Sequence, residues 1–354
     1  MKIPRLSDAR ITTRLLFWFL AISLVPSLLL TILTNWISID SIQEAVRHQL
    51  LAISEAKANE LESYIRERRG DMSILGRSPS VIRDTVTLAN LLHAGEKRIE
   101  QLAACDEFDS LRQVLSSFTL TYGYQNYYLL DTDGTLLLRM RKDIDIGSNL
   151  LEGPLKESEL AKVFQRSLML LQAELSDFRL YDGLDGGALF MAHPVFDGGK
   201  TVGMLVMQLG NQQLFRVFSD YHGLGRTGET LSAMRQGDEL IFVAPTRHDA
   251  NAAFRRKIKL GDVDASAMQK AVQGNRGYGA ATDYRGEEVM AAWSYLPSFR
   301  WGMLVKQDRS EAFSMINQQR KAVAGLLVAC GLAVVGIAWA VARSIASPIR
   351  TAAA

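Results

Sequence analysis

Two long stretches without a charged residue constrain this chain more than any other feature of its sequence. Leu15–Trp36 reads LLFWFLAISLVPSLLLTILTNW, and Ala322–Ala342 reads AVAGLLVACGLAVVGIAWAVA. A helix needs about 20 apolar residues to cross the hydrocarbon core of a bilayer. Both stretches therefore predict membrane-spanning helices, at 15–36 and 322–342. The alternatives are a cleaved signal peptide for the first and a buried core helix for the second. The first is too long for a signal peptide and lacks a small-x-small cleavage site after it.

The charges beside these stretches predict their orientation. Residues 1–14 contain four basic side chains and one acid, whereas Asp40 and Glu44 follow the first span. Because basic residues favour the cytoplasmic side, residues 1–14 should be cytoplasmic, and a second crossing returns residues 343–354 there. The sequence thus predicts a two-pass membrane protein in contact with lipid, with residues 37–321 on the side away from the cytoplasm.

Cysteine usage and net charge limit the chemistry of the outer region. The chain has two cysteines, Cys105 in the outer region and Cys330 in the second span, so an internal disulfide is not expected. Cys105 is interpreted as a half-buried free thiol, with a cross-link between two chains as the alternative. The formal net charge of +2 gives no indication of a nucleic-acid partner.

Helical periodicity dominates the segment after the first span. Between Ile39 and Leu75 apolar residues recur three or four apart, and GRSPS at 76–80 ends the pattern. This predicts a stalk helix over 37–77. Its apolar side also suggests the seam of a parallel homodimer, with four expected contacts: Leu50, Ile53, Leu61 and Tyr64.

Beyond the stalk the period changes from helical to strand-like, twice. NYYLLDTDGTLLLRMR predicts a hairpin, a short helix follows, and three more strands end near Leu209. The same plan recurs in shorter form from ETLSAMRQGDELIFVA onwards. The predicted fold is α+β: two tandem PAS-like antiparallel-sheet lobes, with helices on one face, on a long N-terminal stalk helix and between two membrane helices. The expected boundaries are 78–212 for a membrane-distal lobe, 213–312 for a membrane-proximal lobe and 313–321 for an exit helix.

At the level of motifs the chain resembles the double Cache (dCache) sensor domains of bacterial transmembrane receptors. The resemblance rests on YGYQNYYLLDTDG (122–134), KDIDIGSNL (142–150), GLGRTGE (223–229), TDYRG (282–286) and WGMLVKQDRSEAF (301–313), in this order between two spans. RSIASPI at 343–349 is similar to the start of a HAMP linker. The resemblance implies a location in the bacterial inner membrane, with residues 37–321 in the periplasm or outside the cell. It also implies a signal passed to a histidine kinase, diguanylate cyclase, PPM-type phosphatase or chemotaxis domain beyond residue 354.

Motifs for catalysis or cofactors are weak. GLGRTG at 223–228 has the G-x-G-x-x-G spacing but no apolar strand before it, so its glycines are interpreted as tight-turn positions. GGKT at 198–201 is interpreted as a hairpin turn. The five histidines show no H-x-H or H-E-x-x-H spacing. We therefore expect no enzyme activity in this chain, no catalytic residue, no cofactor and no metal site.

Polar residues among the apolar strands of the first lobe are the candidate ligand contacts. Strand alternation and position select seven of them: Arg179, Tyr181, Tyr128, Arg139, His193, Gln208 and Asp145. Arg179 is the principal candidate, because a guanidinium group can bind a carboxylate through two hydrogen bonds. Many amino-acid-binding members of the family carry an R-x-W-Y cluster and an aspartate that ends the fifth strand. Both are absent at the matching positions here, which favours a small organic acid or another anion.

Three hypotheses about function remain open at this stage. The first is a ligand-gated sensor in which a small molecule in the distal lobe moves the second membrane helix. The second is an interaction module that recognises a periplasmic protein and has no pocket of its own. The third is a truncated product without an output, consistent with the abrupt TAAA at the end.

Overall fold

The computed structural model describes residues 11–94, 106–122, 124–180 and 187–352. Leu50–Gln307 forms one compact unit, and the described residues on either side of it in the sequence form another. Helix α1 (Ile11–Gly76) contains both the predicted first span and the predicted stalk. Other bounds in the first lobe are α2 (Pro79–His93), α3 (Asp106–Tyr122), β1 (Asn126–Leu130), β2 (Leu136–Arg139), α4 (Glu159–Leu170), β3 (Glu174–Leu175), β4 (Arg179–Leu180), β5 (Gly187–Asp197) and β6 (Lys200–Leu209).

The unit formed by the two chain ends is helical. It holds the first part of α1, the short helix α7 (Arg309–Ala312) and helix α8 (Ser314–Ala352). Among the described residues, Ser314–Ile337 is the helical segment long and apolar enough to cross a membrane. Its large apolar side chains, such as Leu326 and Leu332, are exposed, as a lipid-facing helix requires. The crossing by residues 15–36 stays a prediction.

One antiparallel sheet forms the first lobe. Its strand order is β2-β1-β6-β5-β3, and β4 pairs with β5 beside this path. The first hairpin turns where the sequence predicts, between Leu130 and Leu136. Asp131 Oδ1 stabilises the turn, because it accepts the N–H groups of Asp133 (3.0 Å) and Thr135 (2.7 Å). Gly134 has a φ of +86°, a conformation that glycine adopts without strain.

Helices cover both faces of this sheet, whereas the sequence predicts helices on one face. Side chains from α1, α2 and α3 pack with Tyr127, Leu129 and Met191 on one face. On the other face, α4 packs with Tyr128 and Phe190. The difference arises because β1, β5 and β6 are apolar on both sides, so each face must be buried.

The second lobe repeats the plan with a six-stranded sheet of order β10-β11-β12-β7-β8-β9. Its elements are α5 (Gln212–Ser219), β7 (Glu229–Gln236), β8 (Glu239–Phe242), β9 (Lys257–Lys259), α6 (Ser266–Val272), β10 (Gly277–Thr282), β11 (Glu288–Leu296) and β12 (Trp301–Asp308). The sequence did not predict β9, since three residues with two lysines carry little strand signal. The expected α+β fold with two tandem antiparallel lobes on a long helix is confirmed.

The GLGRTG segment between the lobes is a turn. Gly223 and Gly225 have φ values of +74° and +66°, in the left-handed region. At Gly228 an added Cβ would lie 2.1 Å from the carbonyl oxygen of Leu224, so the backbone approach excludes a side chain. These constraints account for the three glycines.

One side of the stalk part of α1 is buried by its own chain. Leu50 and Leu61 are each 1% exposed, so in this structure these two residues do not provide the expected homodimer seam. Leu61 belongs to the core of the first lobe, and Tyr64 packs against it. Lys57 Nζ donates to the carbonyl oxygens of Val217 (2.5 Å) and Asp220 (2.6 Å), which fixes α1 to the end of α5.

A buried ionic cluster lies in the second lobe. Lys306 on β12 and Glu229 on β7 are both 0% exposed, and their Nζ and Oε1 atoms are 2.7 Å apart. Lys306 also donates to Asp283, in the turn between β10 and β11, and Arg285 Nε lies 2.8 Å from Asp283 Oδ2. Burial opposes ionisation of Asp283, but the hydrogen bond and charge of Lys306 prevail and lower its pKa.

Candidate functional site

Three polar side chains meet on the α4-facing side of the first sheet. Asn126 and Tyr128 alternate along β1, and Gln208 lies opposite Asn126 on β6. All three are buried, and the ring of Phe190 lies 6.2 Å from that of Tyr128. Buried polar side chains need hydrogen-bond partners, so a further polar group is expected beside these three.

The partner is a carboxylate from the loop after β2. Asp143 Oδ2 accepts hydrogen bonds from Asn126 Nδ2 (2.9 Å) and from the Tyr128 hydroxyl. Tyr128 Oη also lies 3.2 Å from Gln208 Oε1, and Gln208 Nε2 donates to Gln125 Oε1 (3.1 Å). Asp143 itself is exposed. An exposed carboxylate therefore accepts the hydrogen bonds of two buried donors, Asn126 Nδ2 and the Tyr128 hydroxyl.

Asn126 also anchors the start of that loop. Its Oδ1 accepts the backbone N–H groups of Met140 and Arg141, each at 3.1 Å. One amide side chain thus fixes the loop and binds the carboxylate at the same time. Asn126 therefore connects the backbone of the loop with the carboxylate of Asp143.

The positively charged side chain of Arg139 is on the strand next to Tyr128. Arg139 on β2 lies directly opposite Tyr128 in the register of the sheet. Its Nη1 is 3.4 Å from Asp145 Oδ1, and the Asp145 side chain is 93% exposed. The structure thus brings Tyr128, Gln208 and Arg139 to one face, with Asp145 at its edge.

Arg179 lies on β4, at the α4-facing side of the same sheet. Its Nε is 3.1 Å from Glu159 Oε1 on α4. Arg179 also lines a groove of about 450 Å³ between the two lobes, together with Asp177, Arg235 and Arg300. It thus shares a face of the sheet with Tyr128, although the ion pair described for it is with Glu159 and not with a group of the Tyr128 cluster.

His193 lies on the opposite face of the sheet, because strand alternation places it with Met191 rather than with Phe190. Its Nδ1 is 2.7 Å from the carbonyl oxygen of Pro194, and a Cβ added to Gly76 of α1 would lie 2.8 Å from the same ring nitrogen. Burial lowers the pKa of His193, which favours the neutral form of this packed side chain.

Two predicted positions, Tyr181 and Cys105, lie outside the described residues. Asn126 and Asp143 were not predicted from the sequence. Alternation with Tyr128 could have identified Asn126, whereas the position of Asp143 depends on the path of a loop. A group of side chains that could hold a metal ion, His93, Asp131 and Asp133, lies at the other end of β1.

Two tandem antiparallel-sheet lobes on a long helix, with a polar site on the first sheet, define a tandem PAS-like sensor domain. The profile of the Cache domain family (dCache_1) matches residues 38–316, and the chain belongs to this family. It carries a Cache sensor domain of transmembrane receptors, a domain that is extracytoplasmic and itself non-catalytic. No curated protein sequence matches the chain.

Solved structures of similar fold are sensor domains. The ligand-binding domain of the Campylobacter jejuni chemoreceptor Tlp3 with L-valine has a TM-score of 0.51 and 13% identity, and covers 78% of this chain and 97% of its own. Tlp3 with 4-methylisoleucine gives 0.50 and 13%, over 77% and 94%. The sensor domain of the V. cholerae histidine kinase DctB gives 0.48 and 11%, over 76% and 99%. At this identity the Tlp3 structures show a shared fold.

Proposed function

We propose that the first lobe binds a small organic acid at Asn126, Tyr128 and Gln208, and that binding moves α8 to pass a signal across the membrane. The observation that carries this proposal is the convergence of two buried donors, Asn126 Nδ2 and the Tyr128 hydroxyl, on a carboxylate oxygen. Such donors bind any carboxylate of suitable shape, whether it belongs to a loop or to a solute.

Exchange of one carboxylate for another gives the binding reaction. Asp143 is exposed and sits on a loop, so it can leave its donors at little cost in buried surface. A ligand carboxylate in its place would meet the same donors, and the Arg139 guanidinium on the same face favours negative charge. Release of the loop would then accompany binding.

A different mode would keep Asp143 in place. Its carboxylate could accept the ammonium group of an amino acid, the kind of ligand present in the Tlp3 structures. The two modes make opposite predictions for Asp143→Ala. Removal of a competing carboxylate tightens the binding of an organic acid, whereas removal of the partner of an ammonium group weakens the binding of an amino acid.

The test uses the full chain in lipid nanodiscs and calorimetric titration with acetate, succinate and L-valine. We expect a carboxylate to bind, with Tyr128→Phe weakening its affinity about 10-fold or more because one charge-assisted hydrogen bond is lost. Tyr127→Phe is the matched control, because its hydroxyl is on the opposite face and has no hydrogen-bond partner among the described residues. Equal effects of both variants, or an affinity for the acid that falls in Asp143→Ala, would contradict the proposal.

Signal transfer through a parallel homodimer is tested at Cys330, an exposed cysteine in α8. In a Cys105→Ser background, a spin label on Cys330 reports the distance between two copies. A coupling of about 1–3 kcal/mol, which changes an output roughly 5- to 150-fold, suffices for a sensor. An unchanged distance at saturating ligand argues against motion of α8. If no solute binds and the chain instead retains a periplasmic protein in a pull-down, the interaction-module hypothesis is favoured.

A further inference from the structure

Three side chains that can ligate a metal ion meet at the end of β1, outside the proposed ligand site. His93 is the last residue of α2, Asp131 directly follows β1, and Asp133 lies in the hairpin turn. One ligand atom from each lies within 4.8 Å of the other two. His93 Nε2 and Asp131 Oδ2 are 3.2 Å apart.

Asp131 has a buried carboxylate oxygen without a hydrogen-bond donor among the described residues. The residue is 2% exposed, and its Oδ1 accepts the N–H groups of Asp133 and Thr135. Its other oxygen, Oδ2, is buried and receives no hydrogen bond from the described residues. The His93 ring is near this atom, but not in hydrogen-bonding geometry. A buried carboxylate oxygen without a donor is costly, and this one points toward the other two ligands.

We propose that His93, Asp131 and Asp133 bind a first-row divalent transition-metal ion, with Zn²⁺ as the representative. Imidazole nitrogen with carboxylate oxygen suits Zn²⁺ and its neighbours, whereas Ca²⁺ and Mg²⁺ prefer oxygen alone. Bonds of about 2.0–2.1 Å in a tetrahedral site place ligand atoms roughly 3.3 Å apart, and the 3.2 Å between His93 and Asp131 agrees with this. Water completes the coordination.

The ion would bridge two elements of the first lobe. It would tie the end of α2 to the turn after β1, and β1 is the strand that carries Asn126 and Tyr128. Its role is structural, since an ion that binds only the folded state stabilises that state. The metal site and the organic-acid site have no residue in common, so each can be tested separately.

The experiment measures Zn²⁺ binding to the full chain in nanodiscs, purified without a polyhistidine tag and stripped with EDTA. We expect one Zn²⁺ per chain and a rise in Tm of about 5 °C at 100 times the Kd. Co²⁺ should give visible d–d absorption from a site with nitrogen and oxygen ligands. His93→Ala and Asp133→Asn should each weaken Zn²⁺ binding at least about 10-fold. Both side chains are exposed, so these variants should fold.

His222→Ala is the matched control. His222 Nδ1 lies 2.7 Å from Asp220 Oδ1, an exposed pair of the same chemistry without a third ligand among the described residues. This variant should bind Zn²⁺ as the wild type does. The proposal is overturned if the wild type binds no Zn²⁺ at 100 µM, or if His93→Ala and Asp133→Asn bind it as tightly as the control does.

Discussion

Replacing Lys306 with Met should destabilise the second lobe strongly. The Lys306 ammonium group is wholly buried between two carboxylates, those of Glu229 and Asp283. Methionine fills most of the same volume but leaves two negative charges facing each other in the core. Removal of one partner of a buried ion pair costs about 3–5 kcal/mol, because the remaining charge stays buried without compensation.

The remaining hydrogen-bond partners of Glu229 and Asp283 determine how much stability Lys306→Met loses within this range. Glu229 keeps the Tyr284 hydroxyl on Oε1 (2.9 Å) and the Arg247 N–H on Oε2 (2.9 Å), and Asp283 keeps Arg285. These partners compensate part of the loss, so we expect about 3 kcal/mol. For a domain of about 250 residues this corresponds to a fall in Tm of roughly 6–12 °C.

The assay is thermal unfolding of the full chain in nanodiscs, followed by tryptophan fluorescence. Lys257→Met is the control, since Lys257 Nζ lies 3.0 Å from Glu239 Oε2 in the same sheet with side chains 50% and 40% exposed. That exposed pair should cost less than about 1 kcal/mol. Equal shifts in the two variants would refute the reasoning, because burial would then not govern the strength of these pairs.

Two further predictions concern the second lobe and its entry turn. Gly228→Ala should cost about 1–3 kcal/mol in thermal unfolding, since the new Cβ would meet the Leu224 carbonyl oxygen at 2.1 Å. Gly70→Ala, in an exposed part of α1 with open space around it, should be neutral or stabilising, and the same loss in both would contradict this. Because Lys306 lowers the pKa of Asp283 below its usual 3.8, this carboxylate contributes stability above that pH and loses it as the pH falls further. Tm measured between neutral pH and pH ~2 should fall more steeply for the wild type than for Lys306→Met, and parallel curves would exclude this role.

The fold could be predicted because its signals are local. Period-two runs around DTDG and QGDE predict hairpins, and the structure turns at both places. Helices on both faces of the first sheet were not predicted, since an apolar run such as ALFMAHPVF does not tell one buried face from two. The short strand at Ile258 was missed because its pairing with β8 depends on tertiary context.

The site could be predicted only in part. The sequence selected Tyr128 and Gln208 separately, and the register of β1 against β6 places both on one face. His193 was selected only because it interrupts an apolar strand, and such an interruption does not say which face of the sheet it joins. Asp143 could not be found, because a loop carboxylate reaches its donors through a backbone path that no residue pattern encodes. The sequence pattern thus predicts which residues share a face of a strand, but it does not predict which loop residues contact that face.

Alternation along β1 also places this strand between the candidate site and helix α1. Asn126 and Tyr128 face the candidate ligand position, whereas Tyr127 belongs to the core on the α1 side. Just before β1, the Tyr124 hydroxyl donates to Asp71 of α1, and the Arg68 guanidinium lies 5.2 Å from the Tyr124 ring centre. A short strand whose two faces are both fixed cannot adjust one set of contacts independently of the other. We therefore expect a change in the donors around Asp143 to alter the contacts between β1 and α1 as well.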